Sequence, residues 1–257
     1  MQDLRVALVQ AHQVWEDKRA NLSHFSALLA AIEQVDLILL PEMFQTGFSM
    51  NAEQLAEEMS HSSSIKWLKE MALKKNAAVY TSMIVSEQGN FYNRGLFVEP
   101  NGSITTYDKR KTFGLAGEDL TYASGLDEKI IHYKDWNIQL QICYDLRFPE
   151  IVRNRMTSNQ TAAYDIILYV ANWPARRNEH WKALLKARAI ENQSYVVAVN
   201  RIGEDANGLS YSGDSVVVDA LGTVDFCKAE NEEVKIVTLT KENLNTTREL
   251  LPFLKDR

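Results

Sequence analysis

Four short stretches of the chain are almost wholly apolar: Arg5-Val6-Ala7-Leu8-Val9-Gln10, Asp36-Leu37-Ile38-Leu39-Leu40, Asp165-Ile166-Ile167-Leu168-Tyr169-Val170 and Tyr195-Val196-Val197-Ala198-Val199-Asn200. A strand with one wet face alternates polar and apolar residues, whereas a strand apolar on both sides needs a layer above it and a layer below. The segments between supply those layers. Leu22, Phe25, Leu29 and Ile32 recur at helical spacing, and Ile65, Leu68 and Ala72 do so after the capping run Ser62-Ser63-Ser64. Trp181, Leu184, Leu185 and Arg188 repeat the pattern after Asn178, a residue suited to an N-cap. Over residues 78–108 the pattern changes to consecutive strands, joined by turns at Gln88-Gly89-Asn90 and Pro100-Asn101-Gly102. No linker rich in Pro, Ser or Gly interrupts the order, which predicts an α/β fold and one domain over residues 1–257. An apolar run ending near a proline occurs in each half, at residues 37–41 and 168–174, and hints at two similar halves.

Composition narrows the function classes. With 28 basic and 34 acidic side chains the net charge is −6, and no extended basic stretch provides the electrostatic footprint of a nucleic-acid binder. No apolar run has membrane-spanning length, so neither nucleic acid nor membrane is an expected partner. The residues after Met1 lack the basic flank and apolar core of a signal peptide, and Cys143 and Cys227 form no CxxC pair. A reduced, cytoplasmic protein is the expectation. His12, His24, His61, His132 and His180 show no metal-ligand spacing, so no metal is expected.

Three polar groups follow apolar strands, the usual place for sites in open α/β sheets: Glu42, Lys109 and Cys143. In the strand before Cys143, Ile138, Leu140 and Ile142 share one face, so an extended chain puts the thiol on the other with Gln139 and Gln141. Pro149 then suits the first turn of a helix. Taken singly, each group has a plain structural role. Cys143 is a small core side chain, Glu42 a strand-end carboxylate, Lys109-Arg110-Lys111 a solvated loop and Glu118 a surface acid.

Taken together, the strings Leu39-Leu40-Pro41-Glu42, Tyr107-Asp108-Lys109 and Ile142-Cys143-Tyr144-Asp145-Leu146-Arg147-Phe148-Pro149-Glu150 closely resemble the three signatures of the nitrilase (carbon-nitrogen hydrolase) superfamily. Order and spacing fit from residue 5 to about residue 237. Tyr92-Asn93-Arg94, Ala171-Asn172-Trp173-Pro174, Ala187-Arg188-Ala189-Ile190-Glu191-Asn192 and Ser212-Gly213-Asp214-Ser215 agree with it. Within the superfamily the chain is most similar to the omega-amidase branch, especially its bacterial members. The resemblance implies a four-layer α-β-β-α sandwich, commonly a homodimer built through a helical face, working without a cofactor. It implies Cys143 as nucleophile, Glu42 as base, Lys109 as oxyanion cation and Glu118 as a second glutamate that positions substrate and lysine. The lip 112–117 before Glu118 is short for some omega-amidases.

These residue types suit amide hydrolysis. An amide needs a nucleophile, a proton carrier for its poor amine leaving group, and positive charge for the oxyanion. A free thiol of pKa ~8.5 is mostly protonated at neutral pH and needs a base. The backbone N–H of Tyr144 is the natural second oxyanion donor. An omega-amidase acts on a small dicarboxylic monoamide such as 2-oxoglutaramate or succinamate, whose far carboxylate needs a cation or hydroxyl. Arg176, Arg177 and Arg147 are candidates, although Glu150 stands three residues beyond Arg147 and is placed to pair with it. Met43, Phe44, Phe48, Phe113, Tyr122 and Trp173 are candidate pocket walls, Phe113 and Trp173 foremost. The sequence is also compatible with two alternatives: the same machinery on a nitrile, carbamoyl amine or other amide, and a redox or sensor protein using Cys143.

Overall fold

The computed structural model describes residues 2–257. Its first half contains β1 (Leu4–Gln10), α1 (Lys18–Ala30), β2 (Leu37–Leu39), α2 (Ala52–Leu55), β3 (Glu57–Glu58), α3 (Ser63–Lys75), β4 (Ala78–Glu87), β5 (Asn90–Val98), β6 (Ile104–Asp108) and the single turn α4 (Glu118–Thr121). There follow β7 (Ile130–Tyr133), β8 (Trp136–Ile142), β9 (Ile166–Ala171), α5 (Asn178–Asn192), β10 (Tyr195–Asn200), β11 (Ile202–Glu204), β12 (Ser210–Ser212), β13 (Val216–Val218), β14 (Val224–Phe226), β15 (Glu233–Leu239) and α6 (Lys241–Leu250). Local chemistry sets the helix ends. Asp17 and Ser62 accept the Ala20 and Ile65 N–H groups at 2.9 Å to start α1 and α3, and Asn76, in the left-handed region at φ 47°, stops α3. Helix α5 starts one residue earlier than expected: Arg177 occupies the cap and Asn178 is already helical.

Two main sheets carry the fold, ordered β15-β1-β2-β4-β5-β6 (with β3 paired beside β4) and β14-β13-β10-β9-β8-β7, and β11 and β12 form a separate two-stranded sheet. In each, three parallel strands (β1-β2-β4 and β8-β9-β10) have one antiparallel neighbour on one side and two on the other. The halves hinted at by the two apolar runs therefore share one topology, and β2 and β9 hold equivalent places in it. Alternation along β1 explains the layers. Leu4, Val6 and Leu8 join the core shared with the second sheet, while Ala7 and Val9 pack with Phe25 and Leu29 of α1 and Ile65 and Leu68 of α3. Trp181, Leu185 and Ala189 of α5 close the far side. The result is the α-β-β-α sandwich. No helix among the described residues is long and apolar enough to cross a membrane.

Candidate active site

The loops at one end of the parallel strands converge. Glu42 lies just past β2, Asn172 just past β9, Cys143 directly after β8 and Lys109 directly after β6. Lys109 continues the β5–β6 ladder, its N–H donating to Asn93 O at 3.0 Å. Gly125 lies across the same strand end: its N–H reaches Lys109 O at 2.9 Å, and a Cβ there would fall 2.2 Å from Asp108 O. Only glycine allows that approach.

Glu42, Glu118 and Lys109 form a fully enclosed charge cluster. The ammonium Nζ donates to Glu42 Oε1 at 3.0 Å and to Glu118 Oε1 and Oε2 at 2.9 Å each. Burial alone would pull the Lys109 pKa down, but Glu118 and then Glu42 outweigh it and hold the cation protonated. The remaining carboxylate acceptors are filled too. Asn93 Nδ2 reaches Glu42 Oε1 at 2.8 Å and Glu118 Oε1 at 3.1 Å, Asn172 N reaches Glu42 Oε2 at 2.8 Å, and Phe113 N reaches Glu118 Oε2 at 2.5 Å. The Phe48 ring covers Lys109, 5.1 Å from Nζ.

Cys143 does not extend its strand. Its φ of 43° turns the chain into a short 3-10 helix, Cys143–Arg147, so the two-residue alternation of β8 ends at Ile142. A β-carbon in this left-handed region is strained, and the surroundings hold the turn in place. Asp145 Oδ2 accepts Ile142 N at 3.0 Å and the Tyr107 hydroxyl at 2.8 Å, Oδ1 accepts Lys111 N at 2.9 Å, and Arg188 of α5 grips Leu146 O at 2.6 Å. Burial pushes the Asp145 carboxyl up to about 6 against these donors. The thiol is pushed well above its ordinary range, first by burial and then by the negative charge of Glu42; Lys109 only partly offsets this. It is therefore held as S–H beside a carboxylate.

Cys143 and Lys109 open onto a cavity of about 590 Å³. Phe113, Tyr144, Trp173, Arg147 and Arg176 line it, as does Arg177. Trp173 is pinned by Asn200, which accepts its N–H at 2.7 Å and donates to its carbonyl at 3.0 Å, and its indole N–H holds Arg177 O at 2.8 Å. The Arg177 guanidinium lies 5.3 Å from the Phe113 ring centroid and has no hydrogen-bond or ion-pair partner among the described residues. Burial, then Arg176, lower its pKa, while Cys143 acts on it in the opposite sense.

The sequence-based set is thus brought together, with corrections. Met43, Phe44 and Tyr122 belong to the buried core, leaving Phe48, Phe113 and Trp173 as walls. Arg147 does not pair with Glu150: it reaches His180 Nδ1 at 3.2 Å and stacks 4.6 Å above Trp173. The site also contains Asn93, Asn172, Glu16 and Tyr211, which their types and spacing in the sequence do not mark. The first two stand within the flanking strings Tyr92-Asn93-Arg94 and Ala171-Asn172-Trp173-Pro174, which was the only available signal. Glu16, at φ 54°, accepts the Ser49 hydroxyl at 2.5 Å, Tyr211 donates to Asp205 at 2.8 Å, and Glu16, Ser49, Asp205 and Tyr211 all line the same cavity.

Comparison with known proteins gives a consistent result. Residues 5–249 match the carbon-nitrogen hydrolase family model. The chain is 43% identical over 257 residues to the omega-amidase YafV of Yersinia enterocolitica, covering all of this chain and 97% of the relative. It is 33% identical over 271 residues to a 2-oxoglutaramate amidase of Paenarthrobacter nicotinovorans, covering 99% and 89% of the two chains. Among solved structures, XC1258 of Xanthomonas campestris, a CN-hydrolase superfamily protein with an arsenic adduct in its active site, superimposes with a TM-score of 0.97. It shares 40% identity, over 100% of this chain and 98% of that one.

Proposed function

The chain belongs to the carbon-nitrogen hydrolase family and is a cysteine-based amidase, and from that premise we propose that it releases ammonia from small monoamides of dicarboxylic or keto acids. One observation carries the substrate class: the unpartnered Arg177, flanked by Arg176 and Arg147, lines the same cavity as Cys143 and Lys109. A half-buried cation crowded by like charges and without an acid is stabilised by an incoming carboxylate. Succinamate and 2-oxoglutaramate carry one at the far end from the amide. The YafV proteins and 2-oxoglutaramate amidases among the relatives support the same reading.

In this reading the Cys143 sulfur attacks the amide carbon while Glu42 takes the thiol proton. Lys109 and the Tyr144 N–H, in the first turn of its 3-10 helix, receive the oxyanion. Collapse of the adduct breaks the C–N bond, and Glu42 returns its proton to the departing nitrogen, giving ammonia and a thioester. Water then attacks the thioester, with Glu42 accepting one proton and handing it to the sulfur as the C–S bond breaks, and the carboxylic acid product releases its remaining proton to solvent to leave as the carboxylate. Glu118 keeps Lys109 charged and aimed. Homodimeric assembly and a reducing compartment, in keeping with two free thiols at Cys143 and Cys227, complete the proposal.

An ammonia-release panel tests it, with 2-oxoglutaramate, succinamate, glutamine, asparagine and a simple nitrile as substrates. The two acid amides are expected to give the highest kcat/KM, and C143A to give none. Preference for glutamine or the nitrile would overturn the substrate class, and full activity in C143A would overturn the mechanism.

A further inference from the structure

In the free enzyme the three N–H bonds of the Lys109 ammonium are all committed, one to Glu42 and two to Glu118. An ammonium has three donors, so none remains for a substrate oxyanion. One bond must turn away as the tetrahedral adduct forms. If it is the bond to Glu42, two fully buried carboxylates lose half of what bridges them, and like charges in a dry site are strongly disfavoured.

Asn93 bridges the same two oxygens. The two hydrogens of its Nδ2 serve Glu42 Oε1 and Glu118 Oε1, so a neutral donor stays on both carboxylates when the cation turns. The reverse amide orientation would aim a lone pair at two anions. In the orientation present, Oδ1 is buried and has no hydrogen-bond partner, a cost that a residue serving only packing would avoid. Asn93 is also tied to Lys109 through the backbone, accepting its N–H at 3.0 Å, so the two donors share one rung of the ladder. We propose that Asn93 is a positioning residue: it holds Glu42 and Glu118 together so that Lys109 can lend one N–H to the oxyanion. This inference rests on the reading of Glu42, Lys109 and Cys143 as the hydrolytic machinery.

The test compares N93A, N93S and N93D with wild type and C143A on succinamate, and measures succinamate binding to C143A and C143A/N93A by calorimetry. The loss of even one hydrogen bond to a charged group corresponds to about 10- to 150-fold in rate, so kcat of N93A, which removes two, should fall by at least about 10-fold. KM, and Kd in the C143A background, should change by less than about threefold. N93S, which keeps a single donor, should fall between wild type and N93A. N93D, which has the same shape but adds a third acid, should fall below N93A. A kcat for N93A within about twofold of wild type, or a loss matched by weaker Kd, would refute the proposal. If N93A does not fold, N93S at or below the activity of N93D would refute it equally. Ammonia release by C143A would instead defeat the underlying reading, whereas inactive C143A beside fully active N93A defeats this inference alone.

Discussion

Replacing Arg177 with Met tests the substrate class most directly. Methionine keeps an apolar stem against Phe113 and removes only the charge and its donors. A unit pair 4 Å apart at an effective dielectric of 20 gives ~4 kcal/mol, an upper figure for a half-exposed guanidinium. Solvent screening and the residual field of Arg147 and Arg176, which line the same cavity, bring the expected loss nearer to one charge-assisted hydrogen bond, ~1.5–3 kcal/mol. That corresponds to a fall of about 10- to 150-fold in kcat/KM for succinamate. Butyramide, with a methyl in place of the carboxylate, has nothing to lose. The assay is therefore the ratio of the two kcat/KM values by coupled ammonia detection, at low and at high salt. R177M should collapse the ratio and flatten its salt dependence, while R176M, at an exposed residue, should move it much less. An unchanged ratio in R177M, or equal losses on both amides, would show that Arg177 does not read the carboxylate.

Three further outcomes follow from the geometry. K109M leaves two buried carboxylates without their cation and should lower the unfolding free energy by ~3–5 kcal/mol in urea titrations; a loss under about 1 kcal/mol would contradict the buried cluster. Asp145 binds a proton more tightly folded (about 6) than at its ordinary 3.8, so its contribution is complete below the lower value and is lost as pH rises through the upper one, about 3 kcal/mol in all. Wild type should therefore lose that much relative to D145N between about pH 3 and pH 7, and parallel pH profiles would refute the assignment. G125A forces a Cβ into the Asp108 carbonyl and must displace the end of β6, so kcat should drop by up to ~10²; normal turnover would mean that Lys109 tolerates the shift.

The layered fold was legible in the sequence because burial on both faces leaves an unbroken apolar run, as in β1, β9 and β10. The reactive strings were legible because each is local. What remained hidden depends on long-range placement or on a broken local rule. Extending β8 by alternation misplaces Cys143, since the left-handed turn held by Asp145 interrupts the period. Asn93 within β5 and Asn172 just past β9 look like ordinary polar residues until the fold sets them against Glu42 from positions 51 and 130 residues away. Likewise, nothing local separates Phe48, a pocket wall, from Phe44, which stacks on Trp67 in the core.

The reactive cluster straddles the seam between the sheets. Glu42, Asn93, Lys109 and Glu118 come from the first half of the chain, and Cys143 and Asn172 from the second. Two halves of like topology have divided the labour, one supplying acid, base and cation and the other sulfur. Turnover consequently reports whether the halves are docked. A refolding chain that has regained both sheets but not their mutual contact would show a native-like circular dichroism spectrum and yet stay silent in an ammonia assay.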